Sequence, residues 1–203
     1  MMKPWQKGMY CTFHKKEIDM VAWHTKECQT CDKLRIDIGG EKIESKSIVL
    51  RKGTEEDIDQ FFELYWLSGI EHLSYNHLDE LRPKEVIKQY IVQSQREQFK
   101  DPGYVFIIAE DNGKMVGVAS GHVGDRDEPH VYKIDREGYI DELCVLKEYR
   151  KNGIGKMLLD AISKELHDRG AMFIGLGVAC QNPAVDFYKK CGFNIKSYWM
   201  TKE

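Results

Sequence analysis

The chain has 203 residues, enough for one domain with a sizeable core and an appendage. Lys and Arg number 30 against 33 Asp and Glu, a net charge of −3, so no global basic field draws nucleic acid or an anionic membrane. No apolar run approaches the roughly 20 residues of a membrane span, and the start lacks the apolar stretch of a secretory signal, which points to a cytoplasmic protein with reduced thiols.

The first forty-odd residues differ in character from the rest of the chain. Cys11, His14, Cys28 and Cys31 lie there in the order C-x2-H, spacer, C-x2-C, with His24 between the pairs. Paired ligands two apart on tight turns match a structural Zn2+ site of Cys3His type, with His24 as the substitute for His14. This predicts a small zinc-ribbon-like extension over 1–46, ended by Gly39-Gly40. The plainer alternative is an extension with incidental cysteines. A redox role fits less well, because Cys28 and Cys31 do not follow a strand and open a helix.

Residues 47–51 read as a strand. Thr54, followed by Glu55, Glu56 and Asp57, reads as a helix N-cap with an acidic first turn, and Ile58, Phe61, Phe62 and Tyr65 come next at helical spacing. Residues 67–82 mix aromatics, histidines and acids without a period and read as irregular. Pro83 suits the first position of a helix with a buried stripe of Val86, Ile87, Tyr90 and Ile91, stopped by Asp101-Pro102-Gly103. Strands over 104–109 and 114–122 are joined by the hairpin signal Asp111-Asn112-Gly113. The polar stretch 124–135 carries Asp125, Asp127, Glu128 and His130; a solvated loop accounts for it better than a specificity loop for a cationic acceptor.

An extended segment over 139–146 then runs into a glycine turn over 150–155. A helix opens at once, with Ile154, Met157, Leu158, Ala161, Ile162 and Leu166 as its stripe. A strand feeding such a turn leaves the first helical N–H groups unpaired, and they and the helix dipole favour an anion. Arg150, Lys151 and Lys156 add positive charge, so the turn reads as a phosphate site. The motif G-x-x-x-x-G-K-[ST] is excluded by Arg150 and Met157, and G-x-G-x-x-G by Leu158. Upstream, Ile140 and Leu143 are both apolar but three apart, which an unbroken strand sends to opposite faces; a β-bulge between them restores one side. After Gly170, residues 172–178 read as a strand. Asn182 and Pro183 open a short helix with Ala184, Val185, Phe187 and Tyr188 on its apolar side and Gly192 at its end, and one or two strands are expected over 193–200.

Two segments carry a family resemblance. R-x-x-G-x-G over 150–155, after a strand, resembles the acetyl-CoA signature of the GNAT superfamily of N-acetyltransferases. N-P-A-V-D-F-Y-K-K-C-G-F over 182–193 is similar to a second GNAT motif, N-x-x-A-x-x-F-Y-x-x-x-G-F. Asn182, Phe187, Tyr188, Gly192 and Phe193 supply its fixed residues, with Ala184 one residue closer to the asparagine. The resemblance covers residues 47–203 and leaves 1–46 outside. It implies an α/β (α+β) fold: a mixed, mostly antiparallel central sheet, splayed at the acetyl-CoA strand and flanked by helices.

It also implies direct transfer of acetyl from acetyl-CoA to a primary amine of a small molecule or peptide, in a ternary complex without a covalent enzyme intermediate. The pyrophosphate would sit on the turn formed by Arg150, Lys151, Asn152, Gly153, Ile154, Gly155 and Lys156. The pantetheine arm would pair with the backbone of Leu143, Cys144 and Val145, and Asn182 and Tyr188 would complete the cofactor site. Amides freed at the bulge would polarise the thioester carbonyl. A base must deprotonate the incoming ammonium. Asp141 ranks first, because polyamine-type members carry an acidic residue there, and Glu142 second, because a bulge leaves its facing open. The plain alternative is that both face solvent or pair with Arg150 or Lys147. Tyr188 matches the tyrosine that protonates the leaving CoA thiolate; otherwise it is a core aromatic. Residues 67–82 would line the acceptor pocket. Cys144, Cys180 and Cys191 have no recognisable base and are given no chemistry.

Two other function classes stand beside this one: a regulatory module that binds acetyl-CoA, and a protein acetyltransferase whose zinc segment recruits a macromolecular partner. The presence of Asp141, Glu142 and Tyr188 favours catalysis. The expected partners are a small-molecule or peptide amine, with neither membrane nor nucleic acid, and a homodimer is compatible with this reading.

Overall fold

The computed structural model describes residues 10–11, 16–17, 48–75, 80–125 and 136–201. The chain divides into two units, Met1–Ser45 and Lys46–Glu203. In the first, β1 (Tyr10–Cys11) and β2 (Lys16–Glu17) pair antiparallel. The expected zinc ligands His14, Cys28 and Cys31, the alternative His24 and the side chain of Cys11 lie outside the described residues. Among the described residues, no group of three or more His, Cys, Asp or Glu could hold a metal ion, and no helix is long and apolar enough to cross a membrane.

The second unit begins with β3 (Val49–Lys52). A single 3-10 turn, Glu55–Asp57, then leads into α1 (Ile58–His72). The Thr54 N–H donates to Asp57 Oδ2 at 2.9 Å, and the Arg51 guanidinium forks onto both Asp57 oxygens at 2.7 Å. Arg51 holds the Asp57 carboxyl below its usual range, and the pair fixes the start of α1 to β3. The helix runs on through 67–72, where the missing period predicts a loop. Ser68 and Gly69 are poor helix formers and Leu67 and Ile70 are exposed, so propensity and burial do not hold this last turn. Glu71 in this turn pairs with Arg150 at 2.7 Å.

Helix α2 (Lys84–Lys100) follows Pro83, but only half of its expected stripe turns inward. Val86 and Tyr90 are 64% and 70% exposed, whereas Ile87, Ile91, Gln95 and Phe99 turn inward at i, i+4, i+8 and i+12. A buried polar residue, Gln95, stands in that stripe, so apolar residues alone mark the face only in part. Phe99 stacks on Phe106 with centroids 3.9 Å apart.

Strands β4 (Tyr104–Asp111) and β5 (Lys114–Asp125) form a hairpin. Its two-residue turn needs positive φ at both positions, and Asn112 (51°) and Gly113 (82°) supply it. Next come β6 (Arg136–Val145), α3 (Ile154–Asp168), β7 (Phe173–Leu176) and α4 (Ala184–Lys190). The sheet order is β3-β4-β5-β6-β7, antiparallel except for the parallel β6–β7 pair.

The sheet is covered on both faces, which explains the near-continuous apolar run of β4. Val105, Ile107 and Ala109 pack toward α3, whose Ile154, Leu158, Leu159, Ile162 and Leu166 are all buried; each contributes roughly 1.5–3 kcal/mol. Phe106 and Ile108 pack on the other face with Phe61 and Leu64 of α1. Residues 193–200 form no strand, contrary to expectation. Tyr198, Trp199 and Met200 are exposed, because strand-forming side chains make a strand only where a ladder accepts them.

Candidate active site

The site is built on β6. Ser120 of β5 faces Glu142 and Gly121 faces Ile140, so Asp141 is an extra, bulged residue. The bulge puts Ile140 and Leu143 on the α3 face together, as their spacing requires, while Cys144 packs on the α1 face. Gly121 is obligatory opposite it: a Cβ there would lie 2.5 Å from the Tyr139 carbonyl oxygen.

Below the bulge the sheet opens. Leu146 N–H donates to the Val116 carbonyl, which makes Val145 and Gly117 a pair that exchanges no ladder bonds. The amides and carbonyls of Val145 and Leu143 therefore point away from β5, toward β7. Yet β7 pairs only with Glu137 through Ile140. The backbone of Leu143 and Val145 is left facing a splay. At its end lies the turn before α3, where Lys151 (φ 63°) and Gly153 (φ 80°) are left-handed. The first helical bond runs from Met157 N–H to the Gly153 carbonyl, so the amides of Ile154, Gly155 and Lys156 have no helical acceptor.

Two carboxylates differ sharply at the bulge. Asp141 Oδ2 lies 2.9 Å from His122 Nδ1, and Tyr104 stacks on that imidazole with centroids 5.0 Å apart. Burial raises the Asp141 carboxyl, and His122 works against that rise. Glu142 has no hydrogen-bond or ion-pair partner among the described residues. It lines a cavity of about 290 Å³ with Tyr65, Trp66, Ser68, His72 and Arg82. Burial, and then the charge of Asp141, push its carboxyl up to about 7. Tyr188 of α4 packs edge-on against Phe187 and Phe193 at 5.2 and 5.8 Å between centroids. Burial, and then the charge of Glu142, push its phenol up to about 12.

A splayed sheet, an anion-ready turn and a carboxylate poised near neutrality fit one family. A family profile described as acetyltransferase (GNAT) matches residues 58–193. The chain belongs to the GNAT acetyltransferase family. It is an acyltransferase with acetyl-CoA as its cosubstrate. It is 28% identical over 171 residues to an N-alpha-acetyltransferase of Saccharolobus solfataricus, covering 80% of this chain and 92% of that protein. It is 31% identical over 115 residues to an N-alpha-acetyltransferase of Sulfolobus acidocaldarius, covering 53% and 68%. A predicted acetyltransferase of Clostridium acetobutylicum, solved with acetyl-CoA, has the same fold, with a TM-score of 0.63, 23% identity and coverage of 77% and 96%.

Several side chains of this GNAT acetyltransferase are not disposed as the sequence suggests. Arg150 does not extend over the turn: its Nε donates to the Val145 carbonyl at 2.8 Å, and its fork grips Glu71 at 3.0 and 2.7 Å. Lys156 pairs with Asp160 at 2.6 Å. Asn152 Nδ2 donates to the Tyr149 and Arg150 carbonyls, both at 3.3 Å, stiffening the turn. Asn182 Oδ1 accepts the Ala184 N–H at 2.8 Å, a helix cap. Cys144 is buried, with its thiol pushed up to about 11 by that burial, so it is no nucleophile. Of the acidic stretch 124–135, only Gly124 and Asp125 are described; Asp125 pairs with Arg136 at 3.4 Å. Glu71, His122, Tyr65 and Trp66 escape sequence reasoning. Tyr65 looks like one more core position of α1, and nothing near Glu71 in the chain announces Arg150.

Proposed function

We propose that this GNAT acetyltransferase moves acetyl from acetyl-CoA directly to a primary amine, of a peptide or small molecule, within a ternary complex. The observation that carries this reading is Glu142, an unpaired carboxyl near neutral pKa that faces a cavity beside the splay. Acetyl-CoA supplies the activated acyl group as a thioester. The backbone of Leu143 and the N–H of Val145, which face the splay, suit its amide-rich arm, and the turn amides with Lys151 suit its phosphates. Glu142 takes a proton from the incoming ammonium, and Asp141, held by His122, stands beside it. The nitrogen lone pair then forms the C–N bond as the C–S bond breaks; the Tyr188 hydroxyl gives its proton to the departing sulfur, and the second proton shed by the acylated nitrogen passes through solvent to the phenolate and restores it. Glu142 thus takes the role for which sequence alone ranks Asp141 first, because only Glu142 is both unpaired and turned into the cavity.

Relatives named N-alpha-acetyltransferase favour the α-amine of a peptide among these acceptors. Thiol release from acetyl-CoA, measured over free-N-terminus peptides, polyamines and amino acids, tests the reading. Turnover is expected with at least one class. Binding of CoA without turnover of any amine would instead make the chain a regulatory module. For the first unit, the spacing of Cys11, His14, Cys28 and Cys31 supports a structural Zn2+ site. Metal analysis of the purified chain is then expected to give about one equivalent of zinc, and less than about half would remove that site.

A further inference from the structure

Arg150 stands where three parts of the enzyme meet. Its backbone opens the turn that precedes α3. Its Nε donates to the carbonyl of Val145, whose backbone faces the splay. Its NH1 and NH2 grip both oxygens of Glu71, in the last turn of α1. That same stretch of α1 supplies Ser68, Gly69 and His72 to the cavity in front of Glu142. The last turn of α1 has little propensity of its own, and this three-bonded guanidinium ties it to the end of β6.

We propose that Glu71 is a positioning residue. Its carboxylate holds the Arg150 guanidinium across the end of the splay, so that the cofactor site and the acceptor wall of α1 are set by one shared ion pair. The proposal rests on the reading of the splay and turn as the acetyl-CoA site. Charge and geometry give the pair two effects. The Glu71 carboxylate neutralises a cation beside the phosphate turn and so weakens the hold on a polyanion. It also fixes the α1 end of the acceptor cavity and so strengthens the hold on the amine. The two effects have opposite signs. An ion pair that merely stabilised the fold would affect both sites in the same direction when broken. Both side chains are more than a third exposed, so the pair itself adds little to overall stability.

The test is Glu71→Gln in the full chain, with CoA binding followed by calorimetry and steady-state kinetics on the best acceptor. CoA affinity is expected to rise about fivefold or more while the acceptor KM rises by a similar factor, within the ordinary range of coupling between sites. Glu71→Asp, which keeps the charge on a shorter stem, should return CoA affinity to the wild-type value. Unchanged or weaker CoA binding by Glu71→Gln would overturn the proposal, as would an unchanged acceptor KM. If Glu71→Gln does not fold, Glu71→Asp decides by the acceptor KM alone: a rise supports the shared pair and no change refutes it. Failure of the wild-type chain to bind CoA would count instead against the turn as the cofactor site.

Discussion

Replacing Glu142 with Gln is expected to lower kcat/KM by about 10² to 10⁴, the usual weight of a positioned general base. The amide keeps the shape and the cavity wall but cannot take a proton. The pH profile carries the sharper signature. Burial pushes the Glu142 carboxyl up to about 7 from its ordinary 4.5, so the wild-type base is competent above about 7 and is lost as pH falls through it. A peptide α-amine titrates nearby, at about 7.7–8.0, and contributes its own slope. The diagnostic is therefore the difference between the two proteins on one acceptor: the limb near 7 should vanish in Glu142→Gln and the amine's limb remain. An identical profile in both would assign the proton to water or to Asp141.

The same substitution should stabilise the fold. A carboxyl whose folded pKa lies above its unfolded value binds a proton more tightly in the native state. Its ionisation costs stability as pH rises from 4.5 to about 7, and the full cost is present above that. Glu142→Gln removes the charge, so the variant should exceed wild type by on the order of 1–3 kcal/mol at pH 8. The gain should shrink to near zero by pH 4.5. Urea unfolding at the two pH values measures it. A variant that is slower and yet more stable would mark Glu142 as a charge kept for function.

Tyr188→Phe is the second large effect. Turnover is expected to drop about 10²-fold with CoA affinity held within about twofold, because packing against Phe187 and Phe193 survives and only the proton donor goes. The loss should be uniform between pH 6 and 9, roughly the range over which a phenol pushed up to about 12 stays protonated. This separates it from the Glu142 variant, whose loss changes with pH. Turnover equal to wild type on the best acceptor would return Tyr188 to the role of a core aromatic.

How much of this was legible in the chain varies by element. The α3 stripe from Ile154 to Leu166 and the Asn112-Gly113 turn are local: periodicity and a φ requirement specify them without reference to distant residues. The bulge was legible because a strand's side chains alternate strictly, so Ile140 and Leu143 could share a face only if the ladder slipped. The face of α2 was legible only through Ile87 and Ile91, because the rest depends on Gln95 and on what Phe99 meets across the interface.

By itself, the sequence determined the family motifs, the glycine turn, the two candidate carboxylates and Tyr188, all of which rest on spacing along the chain. Tertiary structure alone decided which carboxylate is unpaired, because His122 reaches Asp141 from β5 and leaves Glu142 to the cavity. It alone gave Arg150 its partner, 79 residues away in sequence, which no local pattern encodes. A residue's type sets the chemistry it can perform. The proton it holds at neutral pH is set by burial and neighbouring charge, and those exist only once distant strands and helices have met.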